Sequence, residues 1–191
     1  RLYEMDMRLR PSGNQGPVAT SWDAFRTYQR EAAWTWEHLA LTRARVVAGP
    51  EDLACDVSDF RTDLLSAPRD RDAVLRDVAQ MRTRIAAAKG GGGAWDPKVG
   101  PGRMQDIELV AQAGALIAPS APSRTEDGLA AAADTGWLTE AEAAQLAETH
   151  ALCAAVHRGE IEAMPAAAAA VEQEHGPGAT RELLRQLHLY F

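Results

Sequence analysis

The chain has 191 residues, 46% of them hydrophobic and 25% charged, an ordinary composition for a globular protein that can bury a core of its own. Two cysteines exclude a disulfide framework and a cysteine-rich zinc site, and no apolar run reaches the roughly 20 residues that a membrane span needs. The net charge of -7 argues against broad binding of nucleic acid. We therefore expect a cytoplasmic protein that contacts neither nucleic acid nor membrane.

The first residues alternate between apolar and charged side chains, which predicts a half-buried strand over residues 2–10. One face of this strand would carry the apolar side chains of Tyr3, Met5, Met7 and Leu9. The other face would carry the charged side chains of Glu4, Asp6, Arg8 and Arg10. A lone strand is not stable in water. Because the chain starts on an arginine and enters a strand at once, we expect a fragment of a longer protein.

The first predicted helix follows a turn-rich loop. Thr20 and Asp23 have the spacing of a capping box, and Gly49 and Pro50 are stop signals. One apolar stripe at helical spacing connects the two ends. Its members are Phe25, Tyr28, Ala32, Trp36 and Leu39. The pattern therefore predicts one long helix in this region.

Further helices are predicted from apolar periodicity and from their start and stop signals. They cover residues 53–65, a segment that starts near residue 70, and residues 104–117, 125–136, 139–157 and 179–189. Two glycine-containing loops, residues 90–93 and 96–102, interrupt the series. The sum is one strand with six or seven helices.

The charged face of the predicted strand has two interpretations. Asp6, with Glu4 beside it, could hold magnesium, and the guanidinium groups of Arg8 and Arg10 could hold phosphate oxygens. Two-metal phosphoryl transfer needs several carboxylates at one site, and one strand supplies only one or two. Charges on an edge strand also discourage aggregation. From the pattern alone, the solvated charged face is favoured over a phosphoryl-transfer site.

The segment KVGPGRMQDIE, residues 98–108, is a glycine loop that leads into a helix. Its amides and Lys98 could bind an anion. Asp106 and Glu108 would point about 200° apart on a helix, which disfavours metal coordination by both. Acidic residues near a helix start are also favoured by the helix dipole alone. The five histidines show no spacing typical of metal ligands, and no function is assigned to them.

Residues 2–49 resemble the glutamine synthetase adenylyltransferase family almost residue for residue. The most specific blocks are DMRLRPSG at residues 6–13 and AWTWEH at residues 33–38, followed by ALTRARVV. A further block, KVGPGRMQDIELVAQ at residues 98–112, resembles the family's glycine loop and acidic helix. Together these blocks and their surroundings cover about half of the chain.

The resemblance implies an α+β, mainly α, fold. Residues 1–50 would form the C-terminal part of a DNA polymerase beta-like nucleotidyltransferase domain, as a remnant of its sheet, and residues 51–191 would form a helical bundle domain. The sequence of these blocks is similar to that of the C-terminal half of the family's enzymes. The resemblance implies that this half transfers AMP from ATP to a tyrosine of glutamine synthetase with Mg²⁺. Glutamine and the PII signal protein are the regulators that the resemblance implies.

The resemblance also implies roles for single residues. Asp6 matches the third catalytic carboxylate of the family, a magnesium ligand and a base for the tyrosine hydroxyl, and Arg8 and Arg10 would bind phosphates. Lys98, Asp106 and Glu108 match a motif of the helical domain and would close over the nucleotide or fix the packing of the domains. The Gly-Ser and Asp-x-Asp signature that supplies the other two carboxylates is absent from this sequence, so the chain alone is expected to be inactive.

Two departures from the family pattern are Arg103, where a second glycine is usual, and Leu109, where an aromatic residue is usual. A third is the alanine-rich sequence beyond Ser120. Three alternatives stay open, of which the last is suggested by Arg103 and the alanine-rich sequence. The chain could be a non-catalytic helical module that binds glutamine synthetase or PII. It could belong to the AMP-removing half or to a related uridylyltransferase of PII. It could also be a degenerate relic.

Overall fold

The computed structural model describes residues 16–90 and 96–159, and this part of the chain consists of seven α-helices. In chain order they are α1 (Trp22–Glu31), α2 (Thr35–Leu41), α3 (Glu51–Leu65), α4 (Arg71–Lys89), α5 (Met104–Ile117), α6 (Thr125–Asp134) and α7 (Glu140–His157). The mainly helical prediction is thus confirmed. The strand predicted at residues 2–10 and the helix predicted at residues 179–189 lie outside the described residues, so the sheet and the domain boundary near residue 50 stay predictions.

The prediction of one long helix up to Gly49 is wrong, because the chain leaves the helix after Glu31 and starts a second one at Thr35. The carboxylate of Glu37 accepts a hydrogen bond from the backbone N–H of Trp34 at 3.0 Å, which satisfies a free donor at the start of α2. The same carboxylate accepts from the Tyr28 hydroxyl at 3.0 Å and so connects the break to α1. The start of α1 is also shifted, since Ser21 rather than Thr20 caps it.

The later helices agree with the sequence prediction. Asp70 caps α4 by accepting from the Ala73 N–H at 2.6 Å. The capping box of Thr139 and Glu142 opens α7, with 3.2 Å between the Glu142 N–H nitrogen and the Thr139 hydroxyl. Helix α5 has the predicted bounds, and α3, α6 and α7 differ from their predicted bounds by one or two residues.

Helix α5 is the central element, with ten of its fourteen residues buried. One side of it packs against α6 and α7 in a cluster of Ile107, Val110, Ala111, Leu129, Ala132, Leu138, Ala143 and Leu146. The other side packs against α2, α3 and α4 in a cluster of Leu39, Leu65, Val74, Val78, Leu109, Ala113 and Leu116. A helix that is apolar on both sides belongs in the interior of a bundle, so the two halves of the described core meet at α5.

Glycines bring the backbones of α5 and α6 into direct contact. A Cβ atom on Gly114 would lie 2.5 Å from the carbonyl oxygen of Gly128. A Cβ atom on Gly128 would lie 2.5 Å from the carbonyl oxygen of Ala111. No side chain fits at either position without a shift of backbone, and the two helices can approach this closely only because both residues lack a Cβ.

Arg61 joins two distant loops through backbone carbonyl groups. It donates to the carbonyl of Leu41 at 2.8 Å and to that of Thr42, both at the end of α2. It also donates to the carbonyls of Ala121 at 3.0 Å and Pro122 at 2.7 Å, in the loop before α6. The last carbonyl groups of a helix lack intrahelical donors, and here a side chain of α3 supplies them. No helix in the described ranges has the length and apolar character of a membrane span.

Candidate functional site

The structure locates three of the residues that the sequence singles out. Glu4, Asp6, Arg8 and Arg10 lie outside the described residues. Lys98 lies in the loop before α5, with its side chain exposed, whereas Asp106 and Glu108 lie in the first turns of α5. The geometry around these three residues defines what the described part of the candidate site can do.

Asp106 is 8% exposed and connects three parts of the chain. Its Oδ2 atom accepts from the guanidinium of Arg82 in α4, from Nη2 at 2.9 Å and from Nε at 3.1 Å. The same oxygen accepts from the backbone N–H of Gly102 at 2.8 Å. Charge-assisted bonds of this kind are the stronger hydrogen bonds in proteins. Through these bonds, Asp106 fixes the glycine loop and the start of α5 against α4.

The glycine loop is closed by its own side chains. The carboxylate of Asp96 accepts from the N–H groups of Val99 at 3.0 Å and Lys98 at 2.8 Å, and these bonds lower the pKa of Asp96. Arg103 donates from Nη1 to the carbonyls of Val99, at 2.9 Å, and Asp96. Gly100 has φ +144, and a Cβ there would lie 2.8 Å from the Arg103 side chain. Arg103, which departs from the family pattern, therefore braces the loop.

Because most of the loop amides already donate hydrogen bonds within the loop, few of them are available to bind an anion. The amides of Lys98 and Val99 are bound to Asp96, and that of Gly102 is bound to Asp106. The next three amides, at residues 103–105, donate to carbonyls within the same loop. Amides already bound in this way cannot also cradle a phosphate. An anion at this loop would therefore depend mainly on the Lys98 side chain.

Glu108 lies at the centre of a second polar cluster, which connects α5 and α7 with the segment that follows α2. Its Oε2 atom is 2.9 Å from Arg43 Nη1, and its Oε1 atom is 3.7 Å from His150 Nε2. The Glu108 and His150 side chains are 16% and 14% exposed, whereas that of Arg43 is 54% exposed. Burial acts to raise the pKa of Glu108, but His150, Arg43 and the more distant Lys98 outweigh it and hold that pKa below its ordinary value. Glu108 is thus an ionised carboxylate that orients a half-exposed guanidinium.

The two acidic residues of the motif serve different neighbours. Asp106 faces Arg82 of α4, whereas Glu108 faces Arg43 after α2 and His150 of α7. The two carboxylates therefore contact different helices rather than a common point. Within residues 16–90 and 96–159, no three His, Cys, Asp or Glu side chains gather as a metal site would require.

Sequence reasoning missed Arg43 and His150. Arg43 lies in the ALTRARVV block, which carried the family resemblance without a role for this residue, and it is 65 positions from Glu108. His150 lies on a helix of its own, 42 positions further along the chain. Residues so far apart in the sequence form no local spacing pattern. Only the packing of α2 and α7 on α5 brings these two residues to Glu108.

Beside this cluster, the helices α1, α2, α4 and α5 enclose an open groove of about 610 Å³. Most of its wall is apolar and comes from Phe25, Trp36, Leu39, Met81, Ile85 and Leu109. Gln29, Arg43 and Gln112 add polar groups to the wall. Arg43 therefore belongs both to the groove and to the Glu108 cluster.

Comparison with known proteins identifies the relatives of the chain. Residues 1–59 match the family model described as glutamate-ammonia ligase adenylyltransferase. A protein of Rhodopseudomonas palustris (strain TIE-1) is 46% identical over 147 residues, which cover 74% of this chain and 15% of that protein. A protein of Rhizobium meliloti (strain 1021) is 50% identical over 119 residues, covering 62% of this chain and 12% of the relative. A protein of Brucella suis biovar 1 (strain 1330) is 48% identical over 133 residues, covering 68% and 14%.

The three relatives share the name bifunctional glutamine synthetase adenylyltransferase/adenylyl-removing enzyme. The chain is thus similar to a class of nucleotide-transferring enzymes, of which it spans only 12% to 15% of the length. The resemblance found in its sequence is confirmed: residues 1–59 match the model of the glutamate-ammonia ligase adenylyltransferase family, and 74% of the chain aligns with a relative of that name.

Proposed function

We propose that the chain is a segment of an enzyme that transfers AMP from ATP to a tyrosine of glutamine synthetase and so regulates nitrogen assimilation in the cytoplasm. The observation that carries this proposal is the match of residues 1–59 to the adenylyltransferase family. That stretch includes Asp6, Arg8 and Arg10. In this proposal residues 1–50 are the end of a DNA polymerase beta-like nucleotidyltransferase domain, and residues 51–191 are the helical domain that follows it.

Asp6 is the proposed catalytic residue and ligand of Mg²⁺, which would neutralise charge on the phosphates of ATP. Its carboxylate would accept the proton of the attacking tyrosine hydroxyl, which requires hydrogen-bond reach of that group. Arg8 and Arg10, on the same predicted face, would bind phosphate oxygens. Glu4 is a weaker candidate for the same site. The two further carboxylates that this chemistry needs are not part of this sequence.

The described residues support a nucleotide-binding role for the rim around Arg43. Glu108 holds the guanidinium at 2.9 Å while more than half of the Arg43 side chain stays exposed. The exposed ammonium of Lys98 acts on the same carboxylate. Two cations near one partly buried carboxylate give a net positive charge, which suits a phosphate-bearing ligand such as ATP. Asp106 acts indirectly in this proposal, because it fixes the loop that carries Lys98.

Glutamine synthetase is the proposed protein substrate, and PII and glutamine are the proposed regulators. The names of the relatives combine an adenylyltransferase with an adenylyl-removing enzyme. This favours removal of AMP by phosphorolysis as the second candidate function. The two are distinguished by substrate: ATP with unmodified glutamine synthetase for attachment, and phosphate with adenylylated glutamine synthetase for removal.

The test extends the chain through its natural reading frame and incubates it with glutamine synthetase, ATP and Mg²⁺. We expect the mass of one AMP to be added per subunit, and we expect Asp6→Asn to abolish the addition. Asp23→Asn is the matched control, since Asp23 is an exposed carboxylate whose described ion pair is with Arg26. Release of AMP from the modified substrate, without attachment, would instead establish the second candidate. Tight binding to glutamine synthetase or PII with neither reaction would leave a binding module.

A further inference from the structure

The groove between α1, α2, α4 and α5 has the size and lining of a small-molecule site. Its volume of about 610 Å³ lies within the range of roughly 300–1,000 Å³ that is typical of ligand pockets. Its walls are mostly apolar and include the side chains of Trp36, Met81 and Ile85, all three only partly buried. A partly exposed indole in an apolar wall suits a flat aromatic ligand, because such rings stack on each other.

One polar side chain in the groove wall has a free hydrogen-bonding group. Gln112 of α5 lines the groove and is partly exposed, and its carboxamide makes no hydrogen bond within the described residues. A carboxamide offers a donor and an acceptor side by side, the pattern that pairs with the ring nitrogen N7 and the amino group of adenine. Guanine presents two acceptors, N7 and O6, at the same edge. Gln112 can therefore distinguish the two purines.

Helix α5 places Gln112 next to the charged rim around Arg43. Glu108 and Gln112 are four residues apart, so their Cβ atoms are about 5–6 Å apart on the same side of the helix. Glu108 holds Arg43 at 2.9 Å, and Arg43 also lines the groove, with 54% of its side chain exposed. The ammonium of Lys98, in the loop before α5, acts on Glu108 as well. An uncharged section and a cationic section of the site therefore follow each other along α5.

The polar groups of the groove distinguish two kinds of occupant. A purely apolar occupant, such as the hydrophobic face of a partner helix, would bury the Gln112 carboxamide without a partner and would cover the exposed part of Arg43, which costs free energy. An adenine nucleotide supplies partners for both groups, because its base pairs with a carboxamide and its phosphates bind a guanidinium. The charge and chemistry of the groove therefore favour a nucleotide.

We propose that this groove binds the base of an adenine nucleotide, with the ring against Trp36, the amino edge on Gln112 and the phosphates on Arg43. The inference rests on the proposed transfer of AMP from ATP, and it assigns the choice of base to a residue of α5. Asp6 would act on the phosphates, whereas Gln112 and Trp36 would act on the base. Gln112 is thus a specificity-determining residue that contacts the nucleotide away from the reacting phosphorus.

Isothermal titration calorimetry of the 191-residue chain tests the proposal without any transfer reaction. ATP and GTP are titrated in the absence of glutamine synthetase, and inorganic tripolyphosphate probes the phosphate contacts alone. We expect ATP to bind at least about fivefold more tightly than GTP, and we expect Gln112→Ala to remove this preference without changing tripolyphosphate binding. Arg43→Ala should weaken the binding of all three. Gln145→Ala, at an exposed position of α7, is the matched control and should change none of them.

Two neighbouring tryptophans provide a second matched pair. Trp36 lines the groove, whereas Trp34 is 70% exposed and lies outside its lining. Trp36→Leu should lower the affinity for ATP at least about fivefold and leave that for tripolyphosphate unchanged, because only the base stacks on the ring. Trp34→Leu should change neither affinity. Circular dichroism confirms that each variant is folded, and Trp36→Phe, which keeps an aromatic ring, should retain most of the affinity for ATP.

Several outcomes would overturn the proposal. They are no saturable binding of ATP by the folded chain, equal affinity for ATP and GTP, and equal effects of Gln112→Ala and Gln145→Ala.

Failure of the proposed function gives a different result. If the extended chain transfers AMP but Gln112→Ala leaves its ratio of kcat/KM for ATP and GTP unchanged, the groove is not the base site and the transfer reaction stands. If the extended chain transfers no AMP but this chain binds ATP through Gln112, the groove binds the nucleotide and only the proposed function fails.

Discussion

The close contact of α5 and α6 predicts that adding one methyl group destabilises the whole bundle. At Gly114 the new Cβ of Gly114→Ala would lie 2.5 Å from the Gly128 carbonyl oxygen and 2.7 Å from the Ala132 Cβ. The nearest obstructing atom belongs to backbone, so no rotamer change relieves the overlap. The helices must move apart, which disturbs the cluster that contains Val110 and Leu129.

Two opposing effects set the magnitude of the change in unfolding free energy. Alanine is more favourable than glycine inside a helix by about 1 kcal/mol. Overpacking a well-packed core costs up to about 3 kcal/mol, and the upper value applies because backbone atoms obstruct the methyl group. The net loss at Gly114→Ala is therefore about 2 kcal/mol, which lowers Tm by roughly 4–8 °C for a chain of this length. Gly128→Ala should behave alike, since its Cβ meets the Ala111 carbonyl at 2.5 Å.

Urea unfolding followed by far-ultraviolet circular dichroism measures both variants. Ala130→Gly is the matched control, because Ala130 is exposed on α6 and reports helix propensity alone, at about 1 kcal/mol. If Gly114→Ala raised the free energy of unfolding, as propensity alone would require, the close approach of the two backbones would be refuted.

Three further predictions concern the polar contacts. Asp106→Asn should lower the free energy of unfolding by about 1–3 kcal/mol, because Arg82 loses its charged partner, whereas Arg82→Lys should cost less; urea unfolding compares them. Arg103→Gly should speed amide hydrogen exchange in residues 96–103 more than elsewhere, and uniform exchange would contradict the bracing role of Arg103. Acid should destabilise the chain in two stages. Burial lowers the pKa of His38, so its contribution is complete above pH 6.5 and is lost as the pH falls through the lowered value. The pKa of Glu108 is also lowered, so its contribution is complete above pH 4.5 and is lost below it. Unfolding free energies measured against pH should lose the first stage in His38→Gln and the second in Glu108→Gln.

The assignment of His38 as neutral follows from its two hydrogen bonds. Arg69 Nη1 lies 3.0 Å from His38 Nδ1, and a guanidinium can only donate, so Nδ1 accepts. The proton is then on Nε2, which donates to the carbonyl of Gln29 at 2.9 Å. Protonation of Nδ1 would place two donors face to face. The direction of the pKa shift and the geometry therefore agree.

Local signals account for the parts of the fold that could be predicted from the sequence. The capping residues Asp70 and Thr139 and the periodic apolar positions of α5 lie within a few residues of the features they determine. The break between α1 and α2 escaped prediction because Glu37 resembles an ordinary helix residue. Its capping role depends on how its side chain turns back to Trp34, and spacing does not encode that turn.

The candidate site was predictable only as a set of positions. The motif places Lys98 in a loop and Asp106 and Glu108 on a helix, and the structure agrees. Their partners could not be predicted, because Arg82 and Arg43 come from α4 and the end of α2. Such contacts arise from the packing of whole helices, which a single sequence does not display. The roles of Asp6, Arg8 and Arg10 remain predictions.

Arg61 has a consequence for how motion could travel through the bundle. A guanidinium is planar and rigid, so the carbonyls it binds must keep a fixed arrangement around one plane. Two of these carbonyls end α2, directly before Arg43, and two belong to residues 121 and 122, in the loop before α6. These four hydrogen bonds therefore couple the stretch that carries Arg43 to the loop before α6. A displacement of Arg43 would strain the bonds of Arg61, so this side chain of α3 is a mechanical link between the Arg43 stretch and the entry to α6.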